Sequence, residues 1–364
     1  MSKRSLAVAG AVAVSLLLAA CGSGSSSTPS GSTSGSSSSA VSVGVILPDT
    51  ASSKRWENND RPLLQSAFDA AGVKADIQNA QGDKAKWSTL CDQFINEGVK
   101  VMVVVNLDSD TAKACESKAG AQGIKTIDYD RYTIGGSASY YVSFDNIAVG
   151  NLEGVGLVKC MQANGKSSGP VALLNGSPTD NNATLFKQGY EAAITSAGYT
   201  IAADQSVPNW DNTQGGVLFE QMFTKANGNF VGVDAANDGL GGAVVAVLQK
   251  NGLAGKVPVT GQDATNEGLQ RVLLGTQCVT VYKAIKKEAD AASALAIALA
   301  TGKEPTGVAD STPYPNQTKP SVLLAPQAIY ADNVKDVVAD GFTTAAAICT
   351  TPELQAACTK YGVS

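Results

Sequence analysis

From Val43 onward, short runs of β-branched and aliphatic residues alternate with longer stretches whose apolar positions recur every three or four residues. The short runs read as strands and the longer stretches as amphipathic helices, a βαβ rhythm. It opens with a strand over Val43 to Pro48 and a helix over Arg61 to Ala71. Further strands are predicted over Lys74 to Gln78, Val101 to Val105, Lys125 to Asp128 and Tyr140 to Ser143, with helices over Lys86 to Glu97 and Thr111 to Gln122 between them. The rhythm then restarts with a helix over Val149 to Met161 and a strand over Val171 to Leu174. Strands follow over Ile201 to Val207, Phe230 to Ala235 and Val257 to Gly261. Strands without strict alternation are those covered on both faces, so the fold class is α/β with two doubly wound parallel sheets in series. Ligands of such sheets bind outside the carboxyl ends of the strands, and two facing sets of ends form one cleft. The strand Thr276 to Lys283, the Ala-rich helix Lys287 to Thr301 and the strand Ser321 to Leu324 could extend either sheet.

The amino terminus departs from this rhythm. Lys3 and Arg4 precede an apolar run from Leu6 to Ala20, which is too short to span a bilayer comfortably and reads as a signal segment, residues 1–20. Leu18-Ala19-Ala20-Cys21 resembles the lipobox of bacterial lipoproteins, so Cys21 is expected to receive a lipid and to become the first residue of the mature chain. Residues 21–40 are almost all Ser, Gly, Thr or Pro and form a flexible tether. The protein is therefore expected outside the cytoplasm, on the outer face of the cell membrane.

Composition narrows the chemistry. A chain of 364 residues is long enough for two domains. Its net charge is −5, and loss of residues 1–20 removes Lys3, Arg4 and no acid, leaving −7. No basic stripe tracks a phosphate backbone, so nucleic acid is not an expected partner. There is no histidine, which removes Ser-His-Asp and Cys-His nucleophiles and imidazole metal sites. No cofactor or metal is expected. Beyond Cys21 the body has six cysteines, Cys91, Cys115, Cys160, Cys278, Cys349 and Cys358. An even number in an exported chain suggests disulfides; of the 15 possible pairings, separation favours Cys91 with Cys115 and Cys349 with Cys358.

Polar and aromatic residues that a core does not need recur just after the predicted strands. Lys54-Arg55-Trp56 follows the first strand and Asp128-Tyr129-Asp130-Arg131 the fourth. In the second unit Gly176-Ser-Pro-Thr-Asp180-Asn181-Asn182, Asn209-Trp210-Asp211, Asn237-Asp238 and Gly261-Gln262-Asp263 occupy the same place, and Lys283 ends the next strand. A sugar hydroxyl donates and accepts, so a site for several of them wants carboxylates and amides beside Arg and Lys. Trp56 and Trp210 are flat surfaces for the apolar face of a sugar ring. Any one such loop can equally be a turn or a helix cap, a role for which Asn181 and Asp238 are the leading candidates. The Gly239-Leu-Gly-Gly242 stretch reads as a close-packing site, since neither a P-loop nor a dinucleotide fingerprint follows the first strand.

At these residues the chain resembles the periplasmic binding proteins of sugar importers, the type I group, and within it the xylose-binding branch. The resemblance runs from about Val43 to Phe342 and is most specific at Ser53-Lys-Arg-Trp56, Tyr129-Asp-Arg131, Val142-Ser-Phe-Asp-Asn146, Gly176 to Asn182, Ala236-Asn-Asp238, Gly261-Gln-Asp263 and Thr280-Val-Tyr-Lys283. It implies two lobes joined by three chain crossings, near Asp145, Lys283 and Ala325. Residues 41–144 plus 283–325 would form one lobe, residues 145–282 plus 326–364 the other. Arg55, Trp56, Asp130 and Arg131 would line the cleft from the first lobe, and Asp180, Asn182, Trp210, Asn237 and Asp263 from the second, with Lys283 at a crossing. The implied partners are a monosaccharide, D-xylose foremost, and the permease and ATPase of an ABC importer; the implied protein is a monomer and not an enzyme. The chain departs from the family in its lipobox, its six body cysteines, Ala284 where a proline is expected after the lysine, and its tail from Thr343. Glucose or another aldose is the alternative ligand, and a sensor that presents the sugar to a receptor the alternative role. The rival class is a glycoside hydrolase drawing on Asp130, Asp180 and Asp263, which would need one carboxyl with a raised pKa opposite a second.

Overall fold

The computed structural model describes residues 42–364 apart from 313, 315 and 316. The signal segment, Cys21 and the tether read from residues 1–40 lie outside the described residues. The strands are β1 (Val43–Leu47), β2 (Ala75–Asn79), β3 (Val101–Val104), β4 (Lys125–Tyr129), β5 (Tyr140–Phe144), β6 (Pro170–Asn175), β7 (Thr200–Ser206), β8 (Gly232–Ala235), β9 (Thr280–Tyr282), β10 (Ser321–Leu324) and β11 (Gln327–Ile329). The helices are α1 (Arg61–Ala70), α2 (Lys84–Glu97), α3 (Ser109–Ala121), α4 (Asn146–Ala163), α5 (Asn181–Ser196), α6 (Asn212–Lys225), α7 (Asp238–Lys250), α8 (Asn266–Leu273), α9 (Ile285–Ala300), α10 (Val334–Ala339), α11 (Ala345–Ile348) and α12 (Pro352–Tyr361). A π-helical turn over Trp56–Asp60 leads into α1.

The first sheet is parallel, in the order β10-β5-β4-β3-β1-β2. Val43, Val45 and Leu47 of β1 point to the face covered by Leu64 and Phe68 of α1 and by Ala289, Ala292 and Ala296 of α9. Ile46 points to the other, against Trp87 and Phe94 of α2 and Ala112 of α3. The helix and strand whose placement the pattern left open, α9 and β10, thus belong to this sheet. The second parallel sheet runs β7-β6-β8 and is continued by parallel bridges from Val233 to Val259 and from Gln262 to Val281. β9 then pairs antiparallel with β11. The strand expected over Val257 to Gly261 is reduced to these bridges: the Pro258 carbonyl accepts from Val233 N, but proline has no N–H to return. The chain passes between the sheets three times, at Asp145, at Lys283 to Ala284, and at Ala325 to Pro326.

Helices α4 and α5 cross backbone to backbone. A Cβ on Gly150 would lie 1.9 Å from the Phe186 carbonyl oxygen, and one on Gly189 would lie 2.3 Å from that of Ile147. Only glycine permits this approach. The Gly239 to Gly242 stretch is likewise a packing site, a Cβ on Gly241 meeting the Thr260 carbonyl at 2.8 Å. Three disulfides join Cys91 to Cys115, Cys349 to Cys358 and Cys160 to Cys278; the first two are the pairs that separation favours. In the tail, Ile348, Leu354, Cys358 and Val363 pack with Leu269, Val272 and Leu273 of α8. The described residues belong to one compact unit, and among them no helix is long and apolar enough to cross a membrane.

Beneath the second sheet lies a pair of acids. Leu157 and Met161 of α4 fill the space that Gly232 leaves on β8. Asp234, the next β8 residue on that face, meets Glu153, one turn back along α4. Both side chains are fully buried; neither Glu153 oxygen has a hydrogen-bond partner among the described residues, and Asp234 has only the weak pull of the Thr260 hydroxyl. Burial pushes the Asp234 carboxyl up to about 8, and burial together with the Asp234 charge raises Glu153 well above the usual carboxylate range.

Two outcomes follow for stability. Gly189→Ala forces α4 and α5 apart and costs at least about 1–3 kcal/mol, read as a lower Tm with the far-ultraviolet spectrum retained. The acids bind protons more tightly folded than unfolded, where carboxyls titrate near ~4. The stabilisation is complete below that pH; the share of Asp234 is lost as pH rises through about 8 and that of Glu153 also fades as pH climbs, at most ~1.4 kcal/mol per pH unit for each group. Denaturant midpoints measured from about pH 5 to 9 should therefore fall, and fall less steeply in Asp234→Asn; identical slopes would dismiss the pair as proton carriers.

Candidate functional site

All ten residues singled out from the loops stand at the carboxyl ends of strands and line one cavity: Arg55, Trp56, Asp130 and Arg131 from the first sheet, Asp180, Asn182, Trp210, Asn237 and Asp263 from the second, and Lys283 at the second crossing. With its mouth the cavity encloses about 350 Å³. Nine of the ten are buried and Asp263 is half-buried. Loops after β1 and β4 thus meet loops after β6, β7, β8, the bridged residues 257–262 and β9, as parallel sheets with facing carboxyl ends require.

Each cation in the cavity is matched to a carboxylate. Arg55 gives Nε and one Nη2 hydrogen to the two oxygens of Asp60, at 2.8 and 2.7 Å, and Nη1 to Asp130 Oδ2 at 2.8 Å. Its other Nη2 hydrogen goes to Glu288 Oε2 at 2.5 Å. Burial works against the Arg55 charge, but Asp60, Glu288 and Asp130 outweigh it and raise its pKa further. Arg131 Nε lies 3.1 Å from Asp180 Oδ2, an ion pair without hydrogen-bond alignment, and Lys283 Nζ lies 3.1 Å from Asp263 Oδ1. Burial would raise Asp130; Arg55, Lys283 and Arg131 overcome it and hold the carboxyl below its ordinary range. Burial would lower Lys283, yet Asp263 and Asp130 keep it above its usual value. These pairings fix the polar groups before any ligand arrives, which spares the entropy of ordering them.

Backbone and packing fix the rest. Asp130, Trp210 and Asp263 have φ of 62°, 56° and 92°, in or beside the left-handed region that costs a non-glycine residue of order 1–3 kcal/mol and clusters at ligand sites. Asp130 is held there by Ser143 Oγ and Asn182 Nδ2, which donate to its carbonyl at 2.8 and 2.9 Å. The Trp210 indole lies on Gly176, where a Cβ would come within 2.0 Å of the ring, and donates Nε1 to Asp180 Oδ2 at 3.1 Å. The Trp56 ring carries the Arg55 guanidinium 4.4 Å from its centroid and that of Arg131 at 5.7 Å. The third tryptophan, Trp87, is a core residue bonded to the Val105 carbonyl.

The capping roles fall one position earlier than the loops suggested. Asp180, not Asn181, caps α5 by accepting from Asn182 N at 2.9 Å, and Asn237, not Asp238, caps α7 by accepting from Leu240 N at 2.8 Å. Both cap residues keep extended backbone, whereas Asn181 and Asp238 are already helical. Asp238 instead ties α7 to its neighbours, accepting from Thr265 N and Gln277 Nε2, and burial raises its pKa to about 6 against the pull of Arg271. Ser52, Ser53, Phe186 and Gln262 also line the cavity, beyond the ten residues expected there. For Phe186 a signal existed: it follows Asn182 by one helical turn on the same face of α5, where its ring packs edge-on to Trp210, with centroids 6.5 Å apart.

The cavity therefore offers carboxylates, amides and cations in alternation with two indoles and a phenyl ring. Its three carboxylates each face a cation, an arrangement suited to accepting hydrogen bonds and not to delivering a proton to a leaving group.

A model of a periplasmic binding protein domain matches residues 43–304. The D-xylose-binding periplasmic protein of Escherichia coli is 34% identical over 309 residues, covering 83% of this chain and 91% of that protein. Its namesake in Haemophilus influenzae is 32% identical, with 81% and 89% covered. A carbohydrate transporter solute binding protein of Chloroflexus aurantiacus, solved with D-glucose, superposes with a TM-score of 0.74 at 26% identity, over 84% of this chain and 97% of that one. Together with two parallel sheets joined by three crossings around a shared cavity, these matches establish that the chain belongs to the periplasmic binding protein family, with its type I fold.

Proposed function

We propose that this protein is the extracytoplasmic binding component of an ABC sugar importer, that its cargo is an aldose, D-xylose foremost, and that it is held to the cell membrane by a lipid on Cys21. The observation that carries the reading is the convergence of ten polar and indole side chains from seven loops on one cavity. Carboxylates and amides there accept from sugar hydroxyls, Arg and Lys donate to them, and Trp56 and Trp210 supply flat apolar surfaces for the ring's C–H faces. The xylose-binding relatives favour a pentose, and the glucose-bound relative makes a hexose the second reading. One hydroxymethyl group is worth roughly 1–3 kcal/mol of discrimination.

In this reading residues 41–144 plus 283–325 form one lobe and residues 145–282 plus 326–364 the other. The sugar bridges them, favours the closed form by contacts that the open form lacks, and the importer's membrane subunits recognise that closed shape.

Calorimetric titration of residues 41–364 with xylose, glucose, ribose, arabinose and galactose tests this. One aldose should bind at micromolar affinity or better, and Asp263→Ala, which removes a charged acceptor, should weaken it roughly ten- to hundredfold. Tighter binding of glucose than of xylose would move the assignment to the hexose; no heat with any of the five would end the sugar reading.

A further inference from the structure

Arg55 is held more fully than a ligand contact needs. Of its five N–H donors, Asp60 takes two, Asp130 one and Glu288 one, so a single Nη1 hydrogen is left. Glu288 does not line the cavity. It stands behind Arg55 on α9, fully buried, and its second oxygen, Oε1, has no partner among the described residues. We propose that Glu288 is a positioning residue for the ligand: it fixes the guanidinium so that one N–H faces the sugar, and it does so as a neutral acid, which makes closure of the cleft a proton-linked step. This rests on the sugar-binding reading above, through Arg55.

The charges around Glu288 require it. Arg55 meets three carboxylates, so full ionisation would bury a cluster of net charge −2. From each element packed against α9 the groups facing Glu288 can be named: Asp60 from the π-helical turn, Tyr129 and Asp130 from β4 and its loop, Tyr141 from β5, and Lys283 just before the helix. β3 and β10 carry no ionisable side chain, and the two on α1, Arg61 and Asp69, are bonded to Glu57 and Gln65. Tyr129 already donates its hydroxyl to Asp60 Oδ1, and Lys283 is paired with Asp263. Among the described residues the other cation that feels Glu288, Lys283, is already committed to Asp263, and burial pushes the Glu288 carboxyl up to about 8 despite Arg55. An open cleft admits water to Arg55 and Asp130, which eases ionisation; closure over the sugar removes that water and favours the protonated form. Sugar affinity should then fall as pH rises, at most tenfold per pH unit for one proton.

The test is calorimetry with D-xylose and D-glucose from about pH 7 to 9.5, in buffers of different ionisation enthalpy. The wild-type protein should take up a fraction of a proton on binding and weaken about tenfold across the range. Glu288→Ala should weaken binding roughly tenfold at every pH, because Arg55 loses one of its holds. Glu288→Gln, whose amide oxygen still accepts from Arg55 but cannot ionise, should recover most of that loss and give a flat profile. A Gln variant with the wild-type slope, or an Ala variant with wild-type affinity, would overturn the proposal; if the Ala variant does not fold, the Gln profile decides alone. A wild type that binds either sugar with no pH dependence refutes this inference only, whereas one that binds neither overturns the sugar reading together with it.

Discussion

The guanidinium of Arg55, held by Asp60, Asp130 and Glu288, shows the constraint under which the whole cavity is built. A cleft that closes over a polar ligand must bury ions, and a buried ion without a partner costs several kcal/mol. Each cavity cation therefore has a carboxylate of its own: Arg55 with Asp130, Arg131 with Asp180, Lys283 with Asp263. The pairs cross from loop to loop, so they set the spacing between strand ends. Such pairs add little net stability, and what they contribute is a fixed orientation of acceptors and donors at the moment a ligand enters.

Much of this was legible in the chain because parallel strands and their loops write two different patterns. Uninterrupted apolar runs such as Val101 to Val105 name strands covered on both faces, and polar or indole residues directly after them have no role in a core. That contrast brought all ten candidates to one cavity. What escaped was set by geometry between distant segments. Glu288 sits in the first turn of an Ala-rich helix between Lys287 and Ala289, and nothing in its neighbours along the chain ties it to Arg55 until α9 is laid on the first sheet. The same holds for Glu153 and Asp234, which meet only because Gly232 lets α4 settle onto β8. The interchange of roles between Asp180 and Asn181, and between Asn237 and Asp238, turns on which residue keeps extended backbone before the helix, a matter of one position that periodicity does not resolve. Residues 257–261 keep their place in the second sheet but lose regular pairing at Pro258.

The close crossing of α4 and α5 carries the geometry from the hinge to the cavity. Asn146, first residue of α4 and next to the first chain crossing, donates to Asn182 Oδ1 at 3.0 Å, while its backbone N–H is bonded to the Tyr314 hydroxyl at 2.7 Å. Asn182 in turn reaches the Asp130 carbonyl. With Gly150 and Gly189 locking the two helices, a change of angle at Asp145 moves α4 and α5 together and so changes the distance between Asn182 and Asp130. In the proposed two-lobe reading, hinge and site would be coupled by this packing, with no loop rearrangement needed.

The character of the contacts between the sheets decides whether that motion is reversible. Among the described residues, the apolar clusters lie to one side or the other, and they approach each other only through Phe144 and Leu324, at the ends of strands where the chain crosses. Across the cleft the contacts are polar: Asn182 to Asp130, Arg131 to Asp180, and an exposed pair between Lys54 and Glu267 at 3.8 Å. Water can replace each of these at modest cost, whereas an apolar seam would have to be opened against its full burial energy. The disulfides obey the same division. Cys91–Cys115 joins α2 to α3, Cys160–Cys278 joins α4 to the segment before β9, and Cys349–Cys358 closes the tail on α8, so each stiffens one side and none ties the first sheet to the second. Rigid halves with a polar, unlinked seam are what a ligand needs if its own contacts are to decide between open and closed.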